Sequence, residues 1–264
     1  MTCVQGKKRI PENVIERDYC LSWFLFGLGQ SSLREVLVFK GGTALRRCYF
    51  KDYRFSEDLD FTLLTKISLM QIFAELNKIF EWVKRESGIE FSLGKVEEVH
   101  LNTHTFYMDY NGPLQGGTRS AKVDITIIEK LMFPVVEKSL IRSYEEYTDF
   151  PEELTILVYS IEEIMIEKIC ALLTRARNEP RDLFDIYCLI TEKDIDLEQL
   201  VYSLQSKMEF KGLAPEESAT AFDRKEKLLK KMWKTRLGYQ MGELPEFDNI
   251  FRTVKRAFRQ AGII

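Results

Sequence analysis

"FKGGTALRRCYFKDYRFSEDLDF" occupies residues 39–61. It opens at the end of a run of strand formers, "EVLVFK" (35–40), and breaks at Gly41-Gly42. It resumes as "TALRRCYF", which predicts a short helix with Thr43 as its N-cap. It closes on "DLDF", where Asp58 and Asp60 stand two apart. Side chains alternate faces along a strand. Asp58, Asp60 and Thr62 therefore share one face, and Leu59, Phe61 and Leu63 the other. Neighbouring carboxylates repel each other unless a cation lies between them. Mg2+ takes oxygen ligands and is commonly held by one or two carboxylates plus substrate phosphates. An exposed acidic face on an edge strand is the competing reading of the same spacing. The glycines allow backbone to approach a ligand closely, and a helix start after them favours an anion. The turn is neither a Walker loop nor a Rossmann fingerprint, because both patterns are absent.

A third aspartate appears in "KVDIT" (122–126). Alternation turns Val123, Ile125 and Ile127 to the core and Lys122, Asp124 and Thr126 the other way. Asp124 reads either as a solvent-facing residue of a half-buried strand or as a metal ligand. Three carboxylates from two strands can hold two metal ions for in-line phosphoryl chemistry.

Outward from these strands the chain changes character. Helix is predicted over Pro11–Gly29, and an amphipathic helix over "ISLMQIFAELNKIFEWVKRESG", stopped by Gly88. Strand-like runs follow near 95–101, 103–110 and 121–128, with a turn at Asn111-Gly112. The character changes after about residue 150, and from "YSIEEIMIEKICALLTRAR" (159–177) onward nearly everything reads as helix. The expected division is a mixed α/β part over 1–150 and an all-helical part over 151–264, packed together around a cleft. The 264 residues carry a net charge of −3, which argues against a surface that coats nucleic acid throughout but leaves room for a local basic groove. Five cysteines without a C-x-x-C pair, and two histidines, argue against structural zinc and for reduced thiols in the cytoplasm. "CLSWFLFGL" is too short to span a bilayer and reads as a core helix, so no membrane association is expected.

The opening stretch resembles the first motif of the AbiEii-type nucleotidyltransferase toxins, within the DNA polymerase β-like nucleotidyltransferase superfamily. "KVDIT" resembles their second motif, and "EKICALLTRARNEPRDLFDIY" (167–187) their C-terminal motif. The resemblance covers 39–187 in order. It implies an α+β fold: a nucleotidyltransferase-like twisted sheet with helices, followed by an all-helical C-terminal domain. It implies the toxin of a type IV toxin–antitoxin system, the setting of abortive infection. The activity implied is transfer of NMP from an NTP to an RNA acceptor, notably the tRNA 3′ end, with Mg2+ or Mn2+ as cofactor and pyrophosphate leaving. A cognate antitoxin is the implied partner. Carried onto this chain, the motifs assign metal binding to Asp58, Asp60 and Asp124, and catalysis to these with Lys168 and Asp185. Nucleotide binding falls to Gly41, Gly42, Thr43, Arg47, Arg54, Ser56, Lys168, Arg175, Arg181 and Asp182.

The helical half also reads without the resemblance. Ile161, Ile164, Met165 and Leu172 form a stripe, and Lys168 falls on it, with Arg175 on the same side. A lysine on an apolar face either snorkels to solvent or meets an anion in a cleft. Pro180 suits the first helical position, and Asp182 complements the helix dipole there. Asp185 has no such reason. Two basic stretches follow: "RKEKLLKKMWKTR" (224–236), and Arg252, Lys255, Arg256 and Arg259 on one helix face. Each suits solvent or an RNA backbone. Two other functions fit parts of the pattern. A non-catalytic nucleotide- or protein-binding module needs no carboxylates, and a two-metal nuclease leaves the glycine turn unexplained.

Overall fold

The computed structural model describes residues 10–97, 102–114, 116–142, 149–151, 154–174, 177–213 and 218–264. The fold is a mixed α+β one built on a seven-stranded sheet, as the sequence motifs imply. The strands are β1 (Leu37–Lys40), β2 (Leu59–Leu63), β3 (Glu90–Val96), β4 (Thr103–Asn111), β5 (Arg119–Thr126), β6 (Val135–Ser139) and β7 (Thr155–Tyr159). Their spatial order is β3-β4-β5-β2-β1-β7-β6. β2 runs parallel to β5 and β1 parallel to β7, while the other pairs are antiparallel. β2 is thus a central strand, and its apolar face is anchored by Leu59 and Phe61, both essentially inaccessible. Phe61 meets Phe39 of β1 with ring centres 5.2 Å apart.

Helices α1 (Glu12–Gly29) and α3 (Leu69–Ser87) complete the sheet unit. "CLSWFLFGL" is buried along its whole length, which explains why it is apolar all round. Trp23, Phe24 and Phe26 build an aromatic core with Phe80, Phe91 and Phe150. α3 opens on a capping box between Ser68 and Gln71 and buries Ile72, Leu76, Ile79, Phe80 and Val83.

The chain divides into two compact units, a sheet unit of Pro11–Glu129 with Val135–Tyr159 and a helical unit that includes Lys130–Pro134 and Ser160–Ile264. The helical unit holds α4 (Ile161–Leu173), α5 (Pro180–Glu192), α6 (Leu197–Phe210), α7 (Ser218–Leu237) and α8 (Phe247–Gln260). "TILVY" (155–159) falls in the part expected to be all-helical, 151–264, yet it is strand β7. Its run of β-branched residues pairs with β1 and β6. Lys207 is fully buried in this unit and holds Glu163 at 2.8 Å, Glu167 at 2.7 Å and the Lys130 carbonyl at 2.8 Å. Cys20, Cys48, Cys170 and Cys188 are buried free thiols. Among the described residues no helix is long and apolar enough to cross a membrane.

Candidate active site

Strand β1 ends at Lys40, and helix α2 (Gly41–Ala44) begins at once, continuing as a π-helical turn over Leu45–Tyr49. Gly41 takes φ +79°, a conformation that L side chains rarely adopt, and a Cβ there would lie 2.4 Å from Asp60 Oδ2. A Cβ on Gly42 would lie 2.6 Å from the Arg54 guanidinium and 3.2 Å from Ser56 Oγ. The two glycines therefore make room for a carboxylate on one side and a guanidinium and hydroxyl on the other. Thr43 is not the N-cap its position suggests. Gly41 lets the helix start three residues earlier, so Lys40 takes the cap position. The buried Thr43 hydroxyl instead donates to the Asp58 carbonyl at 2.5 Å and ties the turn to the start of β2.

β2 and β5 pair in parallel with Asp60 opposite Asp124 and Thr62 opposite Thr126. Lys40 is the antiparallel partner of Asp60 on the other side, and its ammonium donates to Thr126 Oγ1 at 2.8 Å. One sheet face thus gathers Lys40, Asp60, Asp124 and Thr126, with Asp58 one residue before β2. The Asp124 carboxylate accepts from Thr105 Oγ1 at 2.6 Å and from Lys122 Nζ at 2.7 Å. Burial works to lower the pKa of Lys122. Its bond to Asp124 and the negative charges of Asp124, Asp58 and Glu97 outweigh that and leave it raised. The contribution of Lys122 was visible in the alternation of "KVDIT", but that of Thr105, nineteen positions earlier, carried no local signal.

Among the described residues no three His, Cys, Asp or Glu side chains already converge on one point. The donor set nonetheless fits a hard divalent cation. Asp60 and Asp124 are half-buried neighbours offering oxygen only, and such ions commonly take one or two carboxylates and leave the remaining positions to phosphates and water.

Arg47 is engaged by α1. It is 2% exposed and pairs with Asp18 of α1 at 2.6 Å. Arg46 joins it on the same carboxylate at 2.8 Å and packs over the Phe55 ring at 3.9 Å. These arginines fasten the segment after the glycine turn to α1. Arg54, also buried, stays beside Gly42.

In the helical unit α4 and α5 bring a second group together. Lys168 of α4 bonds Asp182 at 2.9 Å and Asp185 at 2.7 Å, both on α5. Asp185 is fully buried and Asp182 nearly so. Arg177, in the connection between the helices, bonds Asp182 at 2.7 Å. Burial pushes the Asp182 carboxyl up, but Lys168 and Arg177 outweigh it and hold it below the usual range. Lys168 therefore meets anions, and these belong to the chain itself. Arg181 lies 3.4 Å from Glu179. Arg175 falls outside the described residues. Lys225 of α7 escaped the sequence reading because it sits within a basic run that looks exposed. It is 5% exposed and donates to the Thr174 and Arg177 carbonyls, each at 2.5 Å.

Comparison with protein families matches residues 23–258 to the nucleotidyl transferase AbiEii toxin family of type IV toxin–antitoxin systems. Among solved structures, the chain is similar to JHP933 from Helicobacter pylori at TM-score 0.59 and 18% identity, covering 96% of this chain and 93% of that one. It is likewise similar to MenT4, a nucleotidyltransferase toxin of Mycobacterium tuberculosis, at TM-score 0.58 and 18% identity over 96% and 85% of the two chains. At that identity these likenesses speak for the fold. No curated protein sequence matches significantly.

Proposed function

The chain belongs to the AbiEii family of nucleotidyltransferase toxins of type IV toxin–antitoxin systems, and we propose that it moves NMP from an NTP onto an RNA acceptor, with the tRNA 3′ end as the first candidate. One observation carries this reading: Asp60 and Asp124 stand side by side on parallel strands, with the Gly41-Gly42 turn laid against the Asp60 carboxylate. A glycine turn that opens a helix beside paired carboxylates suits a polyphosphate bound together with a cation.

Asp60 and Asp124 would hold Mg2+ or Mn2+, with Asp58 near the strand start. When bound, the ion neutralises phosphate charge and stabilises the leaving pyrophosphate. The backbone at Gly41-Gly42 orients the triphosphate, and Arg54 and Ser56 flank that turn. Lys122, now on Asp124, supplies a positive charge that balances the carboxylates. Lys168 is held by Asp182 and Asp185 as a fixed ammonium for substrate phosphate or the acceptor. We further propose that residues 1–150 act as a catalytic part and 151–264 as a helical part, in the cytoplasm, with a cognate antitoxin as the neutralising partner.

Incubation with Mg2+, each labelled NTP in turn and total tRNA tests this. Labelled RNA is expected with at least one NTP. Absence of label with all four, while a known transferase labels the same pool, would overturn the reading. RNA shortening in place of labelling would mean a nuclease. Tight NTP binding without turnover would mean a binding module.

A further inference from the structure

The last two helices concentrate positive charge. From Arg224 to Arg259 there are eleven Lys/Arg and four Asp/Glu, in a chain whose net charge is −3. Two ion pairs fix how the helices lie. Lys230 meets Asp248 at 2.7 Å, and Lys255 meets Asp223 at 2.7 Å. The later residue of α7 pairs with the earlier residue of α8, so the helices are antiparallel and these four side chains mark their seam. Phe222 stacks on Phe251 with centres 4.7 Å apart, and Trp233 meets Phe247 edge-on at 5.3 Å. All four rings are buried, so the aromatic side faces inward.

Helical periodicity orients the rest. Lys227 lies four residues after Asp223 and three before Lys230. Arg252 lies four after Asp248 and three before Lys255. Each therefore sits on the seam stripe of its helix between the two ion pairs, across from the other. Lys231 and Arg256 come one turn further round toward solvent. All four are exposed, and none makes an ion pair among the described residues. The seam carboxylates Asp223 and Asp248 are already engaged, and Glu226 lies about 100° round the helix from Lys227. Like charges gathered this way repel. Cations about 6 Å apart along each helix suit a polyanion better than a single anion. The α7 side of this face offers one exposed large apolar side chain, Leu228, whereas a protein interface has an apolar centre depleted of charge.

We propose that the exposed α7–α8 face is a docking surface for the phosphate backbone of RNA. It rests on the proposed acceptor class only for the choice of RNA over other polyanions. The surface grips the backbone without reading bases, so it sets affinity for the acceptor's body and leaves sequence choice to other residues.

The test is fluorescence anisotropy of labelled tRNA with the full chain across a salt series, without NTP. It compares wild type with a variant carrying Lys227→Gln, Lys231→Gln, Arg252→Gln and Arg256→Gln. Affinity is expected to fall about 10- to 100-fold near 0.1 M salt, and the salt slope to flatten by about one per lost phosphate contact. A companion variant, Lys227→Arg with Lys231→Arg, keeps the charge and should bind like wild type. Unchanged affinity and slope in the glutamine variant, with its thermal melt intact, overturns the proposal. So does displacement of the RNA by poly-glutamate as effectively as by unlabelled tRNA, which would assign the face to an acidic protein. Binding needs no transfer, so loss of labelling with tRNA binding intact counts against the acceptor chemistry alone.

Discussion

Gly41 has no room for a side chain. Its φ of +79° and the 2.4 Å approach of Asp60 Oδ2 to a Cβ act together. Gly88 has a similar φ of +75° but open space around it. Gly88→Ala is therefore expected to cost about 1 kcal/mol and leave activity intact. Gly41→Ala should cost about 2–3 kcal/mol and displace the Asp60 carboxylate, abolishing transfer. Thermal melts and the labelling assay on both variants check this contrast. Lys225 gives a prediction in pH. Burial pulls its pKa down to about 8, with Asp182 working against that. Between about 8 and the ordinary lysine value of 10.5 the unfolded chain binds the extra proton, so stability rises with pH there. In urea titrations across that window, wild type should gain stability relative to Lys225→Met. A constant difference would contradict the burial of a charged ammonium. At this scale strand alternation made the facing of Asp60 and Asp124 legible from sequence. The fate of Arg47 was not, because its partner Asp18 lies 29 positions away on a helix whose orientation no local pattern reports.

Two elements, β2 and β5, set the spacing of the carboxylates. Their parallel register puts Asp60 beside Asp124, with the Lys122 ammonium on Asp124. Asp60→Asn is expected to abolish transfer. Mg2+ should raise the melting temperature of wild type and have a smaller effect on this variant. A melt in which Asp60→Asn still responds fully to Mg2+ would remove Asp60 from the metal site. The amphipathic helix α3 was readable from sequence, since its apolar spacing repeats over many turns, and α1 by the length of its apolar run. The strand "TILVY" was not, because a run of five residues is too short to show a period. The β2–β5 pairing was also hidden, since adjacency of strands separated by two others in the chain is a tertiary fact.

Across the whole molecule the chain leaves the sheet unit at Lys130, returns at Val135 and leaves again at Ser160. The short excursion is fastened within the helical unit. Glu163 accepts from the Met132 and Phe133 amides, and Lys207 donates to the Lys130 carbonyl. Lys207→Met strips a buried ammonium from Glu163 and Glu167 and should cost about 3–5 kcal/mol, read as a lowered urea midpoint. No sequence pattern announces such an excursion, because five residues carry too little periodicity to assign them to either unit. The central claim is that Asp60 and its neighbours serve nucleotidyl transfer, and parallel reactions with α-labelled and γ-labelled NTP test it most directly. Wild type with Mg2+ and tRNA should place the α label on RNA and release the γ label as pyrophosphate in equal amount, and Asp60→Asn should do neither. A γ label on the acceptor, or undiminished α labelling by Asp60→Asn, would contradict the account.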